Sequence, residues 1–257
     1  MGAFFYALPF AENRFPPIGK LHYGRATMTD LVIFDCDGVL IDSEVISATM
    51  LIAELKGYGV EITLEYVSRN FLGRSYPTVL NEIRKTFGVA LPDQFETDYR
   101  ARLLAAFARD LRVMPGVRDV IENLGTPFCL ATSSSPERLA QSLALSGLAD
   151  LFGDRAFTAS RVARGKPAPD LFLFAADQMG VAPDRCLVIE DSLIGVRAGR
   201  AAGMEVWRFT GGSHLRGLDL SVPDDARADL YFDSFARFYD LRPSLSRDAT
   251  TRIRGTA

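Results

Sequence analysis

"DLVIFDCDGVLIDSE", residues 30–44, decides how the rest of the chain is read. An uninterrupted apolar run ends in two carboxylates one residue apart, Asp35 and Asp37, followed by Gly38, with a third acid at Asp42. A continuous apolar run of this length fits a parallel strand covered on both faces. Alternation along a strand puts Asp35 and Asp37 on one side and Cys36 on the other. Gly38 allows a sharp exit from the strand. Open parallel sheets bind ligands at the carboxyl ends of their strands, which is where this pair falls. Two close carboxylates repel each other, so one protonates unless a cation joins them. A hard divalent ion such as magnesium suits oxygen ligands of this kind. Taken alone, the same stretch also reads as a strand closed by an Asp-Gly turn.

Three more apolar runs share this character: "FCLAT" (128–132), "CLVIE" (186–190) and "MEVWRF" (204–209). Helical segments lie between them: "PERLAQSLALSG", "DLFLFAADQMG" and "LIGVRAGRAAG", closed by Gly147, Gly180 and Gly203. This alternation predicts an α/β fold with a Rossmann-like parallel sheet and right-handed crossovers. Residues 43–112 break the rhythm and read as helical throughout. Val45, Ala48, Ile52 and Leu55 are spaced to share one face. The expected organisation is therefore a sheet core from residues 28–42 and 113–240, with a helical cap inserted at 43–112. Hinges are expected near Asp42–Ser43 and Val113–Gly116. Residues 1–27 read as a disordered extension, with Met28 as the natural start. The polar tail at 241–257 is expected to fray.

The other strand ends also carry reactive groups. "ATSSSPE" places Thr132 at a strand end, with Ser133 and Ser134 beyond it. Ser134 or Ser135 reads as a helix N-cap, with Pro136 and Glu137 completing the signal, which leaves Thr132 free to donate to an anion. "ARGKPAPD" sets Lys166 in a stiff loop, with Asp170 as the expected cap of the next helix. "VIEDSLIG" ends a buried strand in Glu190 and Asp191, an adjacent acid pair that is costly without a cation. Asp191 or Ser192 reads as the cap of the helix that follows. Hydroxyl and ammonium suit a phosphoryl group, and the two acid pairs suit a metal.

In order, "DCDGVLIDS", "LATSS", "GKPAPD" and "IEDSLIG" resemble the four motifs of the haloacid dehalogenase superfamily, in its branch with a helical cap after the first strand. The resemblance spans roughly residues 30–210. It implies magnesium-dependent phosphoryl transfer through an aspartyl-phosphate. By resemblance, Asp35 is the nucleophile and Asp37 the general acid–base. Thr132 and Lys166 hold the phosphoryl oxygens, and Gly38, Ser133 and Ser134 lie against the substrate. Asp35, the Asp37 main-chain carbonyl, Glu190 and Asp191 form the Mg2+ site. The second Asp argues for phosphate esters over carbon–halogen bonds. Phosphomutases similar to β-phosphoglucomutase carry a cap histidine where this chain has Ser47, and Lys-Asn where it has Ser135-Pro136. Both departures favour a phosphatase, similar to those acting on 6-phosphogluconate and related sugar phosphates. In "RNFLGRSYP", a stretch that faces the active site in relatives, Arg69, Asn70, Arg74 and Tyr76 are candidates, with Arg74 expected to contact the leaving group.

Composition narrows the alternatives. The chain has 257 residues, 48% hydrophobic and 24% charged, with a net charge of −3, which is enough for a large core without disulfides or structural metal. No basic stripe points to nucleic acid. The expected partner is a small phosphorylated molecule, and the protein a monomer or weak homodimer. Cys36, Cys129 and Cys186 are widely spaced and odd in number, as expected of reduced thiols in a cytoplasmic protein. The N-terminal apolar stretch lacks a preceding Lys or Arg and contains Pro9, so it does not read as a signal peptide, and nothing reads as a membrane span. A myristoylation signal fails at Tyr6. A receiver-like phospho-acceptor is a rival reading, but the second acid pair follows the lysine and the helical insert is large. No C-x5-R, G-x-S-x-G or P-loop occurs, and His22 and His214 adjoin none of the motifs.

Overall fold

The computed structural model describes residues 28–218 and 221–249. The strands are β1 (Leu31–Phe34), β2 (Phe128–Thr132), β3 (Ala156–Thr158), β4 (Cys186–Glu190), β5 (Glu205–Phe209) and β6 (Leu230–Phe232). They form one sheet in the order β3-β2-β1-β4-β5-β6, and every pairing is parallel. The fold is α/β and Rossmann-like, as the alternation of apolar runs implied. The order reverses direction at β1, so ligand chemistry belongs where β1 ends.

Strand alternation builds two cores. Val32 and Phe34 of β1 join Leu130, Ile189 and Trp207 on one face. There they pack under α5 (Val117–Glu122), α6 (Pro136–Ser146), α7 (Ala149–Phe152) and α10 (Phe238–Leu241). Leu31 and Ile33 face the other way with Cys129, Val188 and Val206, beneath α8 (Asp170–Gln178) and α9 (Leu193–Ala201). Both faces of β1 are thus dry, which is why its sequence is uniformly apolar. Cys36, Cys129 and Cys186 are all buried and unpaired.

Between β1 and α5 the chain forms α1 (Glu44–Lys56), α2 (Leu64–Asn70), α3 (Tyr76–Phe87) and α4 (Phe95–Asp110), which enclose a third core. The buried stripe of α1 runs through Ala48, Leu51 and Leu55, so Val45 and Ile52 fall at its edge rather than at its centre. The two chain passages into this cap are joined to each other. Asp42 N–H donates to Arg112 O at 2.9 Å, Met114 N–H donates to Leu40 O at 2.9 Å, and Ile41 bridges Val113 in antiparallel fashion.

Three expectations need correction. β1 ends at Phe34, and the chain turns at Cys36, whose carbonyl accepts from the Leu40 and Ile41 N–H groups. The stretch after Leu241 does not fray through residue 249. Leu245 is buried in the first core, Gly125 N–H donates to Leu245 O, and Arg247 N–H donates to Asn123 O. One apolar anchor and two backbone bonds hold a segment whose composition is otherwise polar. The cap of α8 is Pro169, with Asp170 as the first helical residue. The expectations for residues 1–27 and 250–257 fall outside the described residues, as does His22. No described helix is long and apolar enough to cross a membrane.

Candidate active site

The carboxyl ends of β1, β2 and β4 meet the loop before α8 at one buried point. Lys166 Nζ donates to Asp35 Oδ1 at 2.7 Å, to Glu190 Oε1 at 2.8 Å and to Ala131 O at 3.3 Å. Glu190 Oε2 accepts from both the N–H and the hydroxyl of Ser192, at 2.7 and 3.0 Å. Ser192 also caps α9, accepting from Gly195 N–H at 3.0 Å. Gly195 is required here, because a Cβ at that position would lie 1.7 Å from Glu190 Oε1.

One carboxylate oxygen from each of Asp35, Glu190 and Asp191 lies within 4.8 Å of the others. Burial, and then the neighbouring charge of Glu190, pushes the Asp191 carboxyl well above the usual range. Burial does the same to Asp35 against the pull of Lys166. Lys166 itself is raised: burial works against its charge, but Asp35 and Glu190 outweigh it.

A divalent cation fits this cluster on one particular observation. Asp191 Oδ2 is buried and has no hydrogen-bond partner. His214 Nε2 lies 2.9 Å away but off the hydrogen-bonding direction, and burial holds the ring neutral. A buried oxygen left this way is costly unless something else meets it, and hard oxygen donors suit magnesium. His214, on a loop after β5, therefore does lie beside a motif in space. Arg208 of β5 supports the same residue from behind, donating to Asp191 O at 2.8 Å.

Asp37 stands apart from this cluster. Its Oδ1 accepts from Ser43 Oγ at 2.6 Å and from Arg138 at 2.7 Å, and its Oδ2 accepts from Ser134 Oγ at 2.6 Å. Its carboxylate thus faces α1 and α6 rather than the Asp35–Glu190–Asp191 cluster, because the turn at Cys36 redirects the chain. Burial pushes the Asp37 carboxyl up, but Arg138 and the two hydroxyls outweigh it and hold it below its ordinary value. Ser43 begins α1 without capping it, since its hydroxyl is spent on Asp37.

Thr132 is buried, and its oxygen accepts from Ser134 N–H at 3.1 Å, which leaves its own proton to donate. Ser133 and Ser134 both line the cleft, and both hydroxyls have protein partners. Ser133 donates to Gly73 O of the cap at 2.8 Å, and Ser134 to Asp37. Ser135 is the N-cap of α6. Gly38, at φ +80°, is pressed against Asp191, where a Cβ would sit 2.1 Å from Oδ2.

Above these residues a cleft of about 390 Å3 separates cap from sheet, lined by Asp35, Asp37 and Thr132 below and Arg74, Tyr76 and Arg100 above. Arg100 is neutralised by Glu96 at 2.6 Å. Arg74 has no carboxylate partner among the described residues, and its Nε and the Tyr76 hydroxyl are buried without hydrogen-bond partners. Arg69 pairs with Glu65 on α2, and Asn70 donates to Tyr66 O. Glu44 also lines the cleft, its carboxyl pushed up to about 8 by burial and then by Asp37 and Asp191.

Sequence reasoning did not find Ser43, Glu44, Arg138 or Arg208 as members of the site. Each reads as an ordinary helix or strand residue, and only the fold brings it to the acids.

The haloacid dehalogenase-like hydrolase family matches residues 29–203, a span that contains all four motif segments. The chain belongs to the haloacid dehalogenase-like hydrolases. It is similar to the 6-phosphogluconate phosphatase of Escherichia coli K12, at 29% identity over 186 residues, covering 72% of this chain and 84% of that protein. It is also similar to a probable pseudouridine-5'-phosphatase of Drosophila melanogaster, at 32% identity over 183 residues, covering 68% of this chain and 78% of that protein. Among solved structures, a hydrolase of the family from Deinococcus radiodurans R1, with bound phosphate and sodium, matches with a TM-score of 0.65 and 32% identity. That match covers 85% of this chain and 97% of the other. The buried cluster of this hydrolase thus lies in a fold that a phosphate-binding relative shares.

Proposed function

We propose that this hydrolase is a magnesium-dependent phosphatase of small phosphorylated metabolites, sugar phosphates or sugar-acid phosphates. The observation that carries the reading is the buried set of Asp35, Lys166, Glu190 and Asp191 beneath a metabolite-sized cleft. Asp35, the Asp37 carbonyl, Glu190 and Asp191 would hold the cation, which when bound neutralises charge on the phosphoryl group.

Asp35 is the nucleophile. Its carboxylate oxygen forms a bond to phosphorus as the ester P–O bond breaks, and the electron pair of that bond leaves with the alkoxide oxygen. Lys166 and the Thr132 hydroxyl offset the negative charge that would otherwise repel Asp35. Asp37, held ionised by Arg138 and two hydroxyls, must take up a proton as the negatively charged phosphate ester binds beside it. It gives that proton to the departing oxygen, then takes one from the water that attacks phosphorus. Phosphate leaves and Asp35 is regenerated. The cap excludes other water while this happens.

Arg74 and Tyr76 suit a hydroxyl-rich or anionic leaving group, since each presents a buried polar atom without a partner. Ser47, in the position of the mutase histidine, donates to Ser43 O at 3.0 Å and has no group able to shuttle a proton at neutral pH. This favours hydrolysis over mutase chemistry.

The test is a panel of phosphate esters with magnesium, run beside Asp35→Asn. The expected result is multiple turnovers by the parent on sugar phosphates and none by the variant. Equal turnover by Asp35→Asn, or no dependence on a divalent cation, refutes the reading.

A further inference from the structure

Arg100 overhangs the cleft from α4, and each of its three donor nitrogens has a protein partner. Nε and Nη2 donate to Glu96 Oε1, one turn earlier on the same helix, at 2.9 and 2.6 Å. Nη1 donates to Ser135 Oγ at 3.1 Å. Ser135 is the N-cap of α6, so this last bond leaves the cap and ends on the sheet core. A guanidinium can only donate. With its charge matched by Glu96 and its nitrogens engaged, Arg100 is built as a strut between cap and core rather than as a receptor for an anion.

Tyr76 rests against this strut. The Arg100 guanidinium lies 5.4 Å from the Tyr76 ring centroid. Tyr76 also stacks on Tyr99 at 4.7 Å, with the two planes 6° apart. Tyr99 is itself anchored, its hydroxyl donating to Ser47 O on α1 at 2.9 Å. An aromatic ring and a cation on adjacent residues of α4 therefore set where the Tyr76 ring lies. Its hydroxyl is different. It is buried without a hydrogen-bond partner among the described residues, and Tyr76 lines the cleft. A fixed, buried donor of this kind is costly unless an oxygen of a bound molecule meets it.

The geometry points to Arg100 as a positioning residue for substrate selection: by spanning from Glu96 to Ser135 it fixes the Tyr76 hydroxyl in place above the phosphoryl site. The inference rests on the phosphatase reading above and names a residue that reading does not use. Arg100 touches no reacting atom and acts through Tyr76. Because Ser135 belongs to the core, the alignment exists only with the cap seated. An ester whose leaving group carries an oxygen for Tyr76 gains from it, and an ester whose leaving group carries none does not.

The test compares a hexitol phosphate, rich in hydroxyls, with phenyl phosphate, whose leaving group has only the ester oxygen. kcat/KM is measured on both for the parent, Arg100→Met, Tyr76→Phe and the double variant. Arg100→Met is expected to lower kcat/KM on the hexitol ester about three- to tenfold, the scale of one neutral hydrogen bond. On phenyl phosphate it should change less than about twofold on the same reasoning. In the Tyr76→Phe background the same substitution should cost less than about twofold on either ester. Equal losses on both esters overturn the inference and leave the phosphatase reading standing. So does a full loss that persists with Tyr76→Phe, which would mean that Arg100 meets the substrate directly. Absence of turnover by the parent overturns the phosphatase reading itself. Arg100 and Glu96 are 30% and 35% exposed, so parting them costs the fold little. If Arg100→Met still does not fold, Arg100→Lys carries the test, since it keeps the charge beside Glu96 but lacks the planar fork. The hexitol-to-phenyl ratio should then fall at least about twofold, and an unchanged ratio overturns the inference.

Discussion

Replacing Lys166 with Met removes the cation that, among the described residues, pairs with both Asp35 and Glu190. Its ammonium is fully buried, 2.7 Å from Asp35 and 2.8 Å from Glu190, with the Phe172 ring centroid at 4.8 Å. Met fills most of the same volume, so packing changes little and the loss is electrostatic. Breaking a buried pair by removing one partner costs about 3–5 kcal/mol. For a protein of this size each kcal/mol moves Tm by about 2–4 °C, so a fall of about 6–20 °C is expected at pH 8 with a chelator present.

The sign of the pH dependence follows from Asp35, whose folded carboxyl is raised by burial above its unfolded value. A raised acid binds its proton more tightly when folded, so stability falls as pH rises through that window. Lys166→Met raises Asp35 further, and its deficit should therefore shrink toward pH 5, where protonation removes the bare charge. Magnesium should also narrow the deficit. The assay is thermal unfolding of parent and variant at pH 5 and pH 8, with magnesium or with chelator. A Tm within about 2 °C of the parent at pH 8 in chelator is below the smallest loss expected from a broken buried pair and refutes the reasoning. So does a deficit indifferent to both pH and magnesium.

Other consequences are as direct. Glu44 is raised to about 8 in the folded protein, so it costs stability progressively as pH rises from its unfolded value toward 8. Glu44→Gln should flatten that slope and raise Tm at pH 8 more than at pH 5. Gly73→Ala places a Cβ 2.3 Å from Ser192 Oγ at a backbone φ of +77°, so it should hold the cap off its seat. The expected result is a KM raised several-fold with faster proteolysis of the cap linkers, and unchanged KM would contradict it. Gly195→Ala drives a Cβ to 1.7 Å from Glu190 Oε1. Titration calorimetry should show magnesium binding weakened by at least about tenfold, since displaced metal-site partners cost on this scale.

Some parts of the molecule announce themselves locally and others do not. Asp35, Thr132, Glu190 and Asp191 end or follow apolar runs and Lys166 sits in a Pro-rich loop, and a polar group at the mouth of a buried strand is visible in any short window. β3 and β6 are three residues long, too short to show periodicity, so they escape a reading by pattern. Arg138 sits next to a buried Leu139 on an ordinary helix, and its partner Asp37 lies 101 residues earlier. Its role depends on how α6 packs against the cap, which no window of sequence contains. Ser43 looks like a helix cap, and only the turn at Cys36 diverts its hydroxyl. The tail beyond Leu241 misleads for a related reason. Its mean character is polar, but one leucine, Leu245, reaches the core and two backbone bonds fix the rest.

The paired passages between cap and core limit how the cap can travel. Two separate flexible linkers would let it drift in any direction. Here residues 40–42 and 112–114 are laced together by backbone bonds, and Ser213 ties Asp42 to the core at 2.8 Å. A narrow ribbon anchored at its base bends far more easily than it stretches or shears. The cap should therefore swing about one axis like a door on a single leaf hinge, and every substrate must enter and every product leave by the one side that the swing uncovers.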